Sequence, residues 1–232
     1  LEKTRMVHAP TVYDAAHRGG LTTAQVDWVA IENAPTISWA FREWPSADGP
    51  LEKEMIAKGA ITAADLEGFT KANILYRDQI WTKAAEYLIL NHKPDLLLFH
   101  LLTLDSEHHT YGPNTLAGRT AMAFVDSCVE KIVNAVQAAG LADRTTFLVV
   151  SDHGFKAYKS QIRANIALQQ AGLDTKAYVL PEGGTAYVYV SEDALIPRVR
   201  AALTGVEGID RIFGATEFPA LGLPVPEKDP QF

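Results

Sequence analysis

Two short segments concentrate the residue types that bind metals and move protons. The first is Leu104-Asp-Ser-Glu-His-His-Thr-Tyr-Gly-Pro113. Asp105 and His109 are four residues apart, so on a helical turn they share a face and can grip one cation between a carboxylate and an imidazole. Gly112-Pro113 forces a turn directly afterwards. The second segment is Val149-Val-Ser-Asp-His-Gly154. Here an apolar run delivers the adjacent Asp152 and His153, and Gly154 admits a close approach or an unusual backbone angle. Zinc accepts such mixed nitrogen and oxygen donors, whereas harder cations want oxygen. Two Asp–His pairs at one edge suit two zinc-type ions roughly 3.5–4 Å apart, an arrangement that acts on phosphoryl groups. One ion would activate a nucleophile and the other would stabilise charge developing on oxygen. Each pair also has a plainer reading, because an Asp near a strand end is often a helix cap and a His is often simply packed. The coincidence of two pairs, each behind an apolar run and each followed by a turn glycine, favours chemistry. His108 reads as the spectator of its doublet.

A scaffold must bring these pairs together. Apolar stretches alternating with helical ones predict an α/β fold with a mostly parallel sheet sandwiched by helices. A helix is expected over 11–19, where Val12, Ala15 and Ala16 share a face and Gly19-Gly20 is the stop. A strand follows over 24–29, then a loop over 31–50 with Pro35, Pro45 and Pro50. Its aromatics Trp39 and Trp44, with Phe41 and the nearby Trp28, read as core or lid packing ahead of a substrate cleft. Thr62-Ala-Ala-Asp65 is a capping pattern, and a long helix follows with its end near His92, before Pro94. The run 95–102 reads as a strand covered on both faces, 116–139 as a second long helix, and 145–150 as another central strand. Ligands of open parallel sheets gather at the carboxyl ends of strands. Both pairs follow such strands, so all four side chains are expected to converge there.

After Gly154 the texture changes. A helix is expected over 162–170, short strands over 176–180 and 185–190 around Pro181-Glu-Gly-Gly184, a helix over 194–203 and a strand over 210–213. The chain therefore reads as a central α/β core over 1–173 and a small α+β lobe with a Pro-rich, aperiodic tail over 174–232.

Composition narrows the partners. With 21 basic against 28 acidic residues the net charge is −7, which argues against a duplex nucleic acid. A single cysteine, Cys128, forbids an internal disulfide and any cysteine-rich zinc module. No apolar run reaches the ~20 residues that cross a bilayer, so no membrane segment is expected. The sequence opens Leu-Glu-Lys-Thr-Arg, with neither an initiator Met nor a signal segment.

With these residues in place, Asp105-Ser-Glu-His-His109-Thr-Tyr-Gly-Pro followed by Ser151-Asp-His-Gly154 resembles the type I phosphodiesterase/nucleotide pyrophosphatase family of the alkaline phosphatase superfamily. The helix Thr-Val-Tyr-Asp-Ala-Ala-His-Arg-Gly-Gly, the strand after it and Asn165-Ile-Ala-Leu-Gln-Gln-Ala-Gly-Leu173 extend the likeness along nearly the whole chain. The resemblance implies an alkaline phosphatase-like core and a hydrolase with two divalent ions of the Zn2+ type. Asp105 and His109 match two ligands of one zinc, and Asp152 and His153 match two ligands of the other. It also implies a small phosphodiester or nucleotide-like substrate and a periplasmic or secreted intact protein.

The departures shape the expectation. Many members have Gly before the first ligand histidine, where this chain has His108. Nucleotide-cleaving members often carry an aromatic residue that stacks on the base five residues before the ligand aspartate. His100 holds that place and becomes the candidate substrate-binding residue. The family's upstream aspartate ligand and Thr or Ser nucleophile have no counterpart in the first ten residues. The seven histidines end at His153, so none matches the family's late third histidine ligand. The chain is therefore expected to be the central part of a phosphodiester- or pyrophosphate-cleaving enzyme and to be inactive alone. The alternatives are a phosphomonoesterase, phosphomutase or sulfatase of the same superfamily, or a non-catalytic α/β binding module.

Overall fold

The structure is a computed structural model that describes residues 2–223. The described residues form two compact units, one up to Ala157 and one from Tyr158 onward. The sequence texture changes after Gly154, with the core expected to run to 173; the 164–170 helix groups with the second unit.

In the first unit a short helix α1 (Lys3–Met6) precedes α2 (Val12–Arg18). Thr11 starts α2 because its hydroxyl accepts the Asp14 N–H while the Asp14 carboxylate accepts the Thr11 N–H, which satisfies two orphan donors at once. Three parallel strands follow in the order β2-β1-β3: β1 is Thr23–Val26, β2 is Trp39–Phe41 and β3 is Leu96–Phe99. Val26 pairs with Phe41 on one side and with Phe99 on the other. Between β2 and β3 lie α3 (Pro50–Ala57), α4 (Ala63–Glu67), opened by the Thr62–Asp65 capping box, and the long α5 (Ile74–Asn91).

Alternation along the strands makes two faces. Ala24, Val26, Phe41, Leu97 and Phe99 join the main core with Ile80, Trp81, Ala84, Ala85 and Leu88 of α5. Leu96 and Leu98 join Tyr13 of α2, Ile31 and Ala34 in a smaller cluster. All four β1 residues are buried, as befits a central strand covered on both faces. After β3 come α6 (Thr103–Tyr111) and α7 (Leu116–Ala138), the latter opened by Thr115 and packed on α5 and α6.

The expected α/β class and parallel sheet are present, with two corrections in detail. The 31–50 stretch is not all loop: it contains β2, whose three residues pair with β1 although prolines flank them. The 145–150 run is not a strand among the described residues. Leu148, Val149 and Val150 are 82%, 85% and 75% exposed, so the run has neither ladder nor core. Apolar composition states the environment a segment suits, whereas a ladder needs a partner's backbone.

The second unit pairs α8 (Ala164–Gln170) with a hairpin of β4 (Ala177–Glu182) and β5 (Thr185–Val190), then α9 (Ile196–Leu203). Gly183 takes φ +65° in the hairpin turn. Leu168, Leu173, Val179, Val199 and Leu203 form its core, and the Asn165 amide brackets the Val179 backbone with two 2.8 Å bonds. The expected α+β lobe forms, but 210–213 is not a strand among the described residues. The expected tail begins within a 3-10 helix, Ala215–Leu221, and its part over 224–230 lies outside the described residues.

The carboxyl ends of the sheet are tied together. The Asp27 N–H donates to the Phe41 carbonyl (3.1 Å) and the His100 N–H to the Val26 carbonyl (3.1 Å). The buried Asp27 carboxylate lies 2.9 Å from His100 Nδ1. Burial pushes the Asp27 carboxyl up to about 6 from an ordinary 3.8, against the hydrogen bond and charge of His100. The hydrogen bond to Asp27 raises His100 above its ordinary 6.5. Both shifts make the folded state hold protons that the unfolded chain releases. The pair's contribution is therefore full below the unfolded Asp value and is lost as pH rises through about 6 and then through the raised His100 value. Asp14, Glu54, Asp65 and Asp95, held low by hydrogen bonds, act in the opposite sense at lower pH. Asp27→Asn should flatten the fall in stability as pH rises from the ordinary Asp value of 3.8 through about 6 in urea melts. Parallel profiles for wild type and variant would contradict this.

Candidate metal centre

Helix α6 carries the first pair. Its N-cap position is Leu102, whose side chain has no acceptor, and the orphan amides of Leu102 and Thr103 instead donate to the buried Asp78 carboxylate of α5 at 3.0 and 2.9 Å. At the other end Gly112 takes φ +83° and its N–H closes on the His108 carbonyl (2.9 Å), so the helix stops where Gly112-Pro113 indicated. Asp105 stands in the first turn, where the helix dipole favours a carboxylate. His109 follows one turn later, with Nε2 3.4 Å from Asp105 Oδ1.

His153 reaches the same place from the 151–155 segment. Its Nε2 is 3.6 Å from Asp105 Oδ1, and one ligand atom from each of Asp105, His109 and His153 lies within 4.8 Å of the other two. His153 Nδ1 is 3.2 Å from the Gly154 carbonyl. A carbonyl only accepts, so Nδ1 carries a proton and Nε2 is the ring atom turned toward the carboxylates, the one that would face a cation. Asp105 is about one-third exposed and His153 about half, which leaves the cluster open to solvent. Asp152 stands at the rim: its carboxylate is 89% exposed and lies 3.7 Å from His153 Nε2, outside the three-residue cluster. Of the four side chains expected to converge, the structure brings together Asp105, His109 and His153 and leaves Asp152 at the rim. This convergence occurs without a strand under the second pair.

Two residues that the sequence reading passed over complete the surroundings. Phe155 sits edge-on to His108, His109 and His153, with centroids 5.0, 4.8 and 5.2 Å away. His108, expected to be a spectator, packs between Phe155 and α7. A Cβ on Gly118 would stand 2.8 Å from its ring, so that glycine makes room for it. Phe155 was signalled only by lying two residues after His153. Asp78 had a clearer signal, since it shares the apolar α5 face of Ile74, Trp81 and Ala85.

His100 is not in the cluster; it lies at the carboxyl end of β3 with Nδ1 on Asp27. Of the aromatics, Phe41 is fully buried and Trp39 packs on the main core. Trp28 and Trp44, with Arg42, line a cavity of about 80 Å³ beyond the carboxyl ends of β1 and β2. The Arg77 guanidinium stacks 4.7 Å from the Trp44 ring.

The sequence model of the family described as "Type I phosphodiesterase / nucleotide pyrophosphatase" matches residues 2–207. Comparison with curated proteins gave no match, and comparison with solved structures gave none either. The family match covers most of the chain, including the sheet, α6 and the 151–155 segment, and on that extent the chain belongs to the type I phosphodiesterase / nucleotide pyrophosphatase family.

Proposed function

We propose that this chain carries part of the metal centre of a phosphodiester- or pyrophosphate-cleaving hydrolase. The observation that supports this best is the convergence of one carboxylate and two imidazoles, one ring oriented by a backbone carbonyl. That donor set fits a zinc-type ion in chemistry and in spread. The family likeness extends the reading to two ions, with Asp105 and His109 serving one and Asp152 and His153 the other. Bound ions would polarise a phosphoryl oxygen and stabilise charge on the departing group. The chain's own contribution is orientation. Asp105 supplies fixed negative charge, the Gly154 carbonyl orients the His153 ring, and Phe155 restricts both ligand rings. His100, with Nδ1 committed to Asp27, is proposed to contact the substrate. The nucleophile and the remaining ligands have no counterpart in a matching motif within residues 1–232, so this stretch alone is proposed to be inactive.

Calorimetric titration of the 232-residue chain with Zn2+ should give measurable binding that weakens about 10-fold or more in Asp105→Ala, His109→Ala and His153→Ala. Binding equal to wild type in all three would remove the metal reading. A nitrophenyl phosphodiester, with zinc present, should not be hydrolysed appreciably by residues 1–232. A longer form supplying the family's nucleophile should hydrolyse it, with a loss of about 10³-fold or more in Asp152→Ala, because nucleophile and metals act as a unit. Comparable rates from the two forms would place the nucleophile within residues 1–232.

A further inference from the structure

We infer that Asp78 is a positioning residue for the metal centre, setting helix α6, and with it Asp105 and His109, from a different helix. The inference rests on the metal reading above. Asp78 is fully buried on the apolar face of α5, a costly place for a carboxylate unless strong hydrogen bonds replace water. Its two oxygens are each matched to one backbone amide, Leu102 at 3.0 Å and Thr103 at 2.9 Å. Those are amides that a helix start leaves without an internal partner, and charge-assisted bonds to them are among the stronger kind.

Three features of α6 make this anchor decisive. The helix has no side-chain cap of its own, since the Leu102 side chain carries no acceptor. Thr103 is its one fully buried residue, and the half-buried remainder rests on α7, so the tie to α5 is made at the first turn. Asp105 lies two residues beyond the anchored Thr103, and His109 one turn further along the same face, so both inherit the direction fixed at the first turn. The preceding corner is held as well, by the His100 N–H on Val26 and the His100 ring on Asp27. Among the described residues the Asp78 carboxylate bonds the Leu102 and Thr103 amides and neither Asp105 nor His109; it acts through the backbone.

The test compares wild type, Asp78→Asn, Asp78→Ala and Leu88→Ala in the 232-residue chain. Leu88 is a fully buried residue of the same helix and serves as a control for general destabilisation. Zn2+ affinity is read by calorimetry, ligand geometry by the visible spectrum of the Co2+-loaded protein, and local order by amide exchange over residues 102–109. Asp78→Ala should weaken Zn2+ binding about 10–100-fold, the range for groups that orient ligands. It should also alter the Co2+ bands and accelerate exchange at Leu102 and Thr103. Asp78→Asn, which keeps the shape and one acceptor, should fall between Asp78→Ala and wild type and covers the case in which the alanine variant does not fold. Leu88→Ala should lower the melting temperature yet leave affinity within about 2-fold and the Co2+ bands unchanged. Affinity and spectrum equal to wild type in both Asp78 variants would overturn the inference, as would equal losses in Leu88→Ala. A wild type that takes up no zinc would instead overturn the metal reading, and the inference with it.

Discussion

Where β3 ends, the chain must turn from a strand into a helix, and the amides of that corner belong to neither ladder. Buried backbone donors have to be satisfied, and this corner lies against α5, where water cannot do it. The protein meets the demand with buried acids: Asp78 takes the Leu102 and Thr103 amides, and Asp27 takes the His100 ring. Each acid resists ionisation because of burial, which raises both carboxyls. Each is held in place by elements formed far away in sequence, α5 for Asp78 and β1 for Asp27. The corner therefore becomes rigid only when the sheet and α5 have docked, and the Asp105–His109 face is set as a consequence of that docking.

This explains why the carboxyl edge of a parallel sheet suits a site built from few residues. The ladder fixes where β1, β2 and β3 stop, so the groups just beyond their ends are brought side by side. Asp27 at φ +55° departs from the strand at once and turns its carboxylate toward its neighbour's end. His100 thereby differs from an aromatic ring at the same place. An imidazole committed through Nδ1 to a buried carboxylate is a hydrogen-bonding group in a fixed orientation, whereas a phenol or phenyl ring would offer a stacking plane.

Features carried by local chemistry were legible in the sequence. The Thr62 capping box, the turn at Gly112-Pro113 and the i,i+4 spacing of Asp105 and His109 each depend on neighbours within a turn, and each is present. Features that depend on distant partners were not. Strand β2 has three residues between prolines, too few for a period, and exists because β1 offers it a backbone to pair with. The 145–150 run has the composition of a central strand but no ladder among the described residues. Asp78 is the instructive intermediate: a charged residue on an apolar helix face announces a buried partner, yet nothing local names Leu102 and Thr103 as that partner.

The two halves of the cluster are consequently built with different stiffness. Asp105 and His109 ride on a helix anchored at its first turn and closed at Gly112. His153 stands on an extended segment whose exposed neighbours Leu148, Val149 and Val150 bury little, and its place depends on ring contacts with Phe155, one carbonyl contact at Gly154 and the Asp105 and Asp152 carboxylates 3.6 and 3.7 Å from its Nε2. Such contacts are each worth about 1 kcal/mol, comparable to thermal fluctuation once summed against chain entropy. On the metal reading, the free energy of binding a cation would be divided unequally. Little is needed to order the α6 side, and most of the ordering cost falls on residues 151–155, where ligand binding and local folding become the same event. The affinity of the site would then be governed less by the quality of its three donors than by how firmly the segment carrying His153 is held.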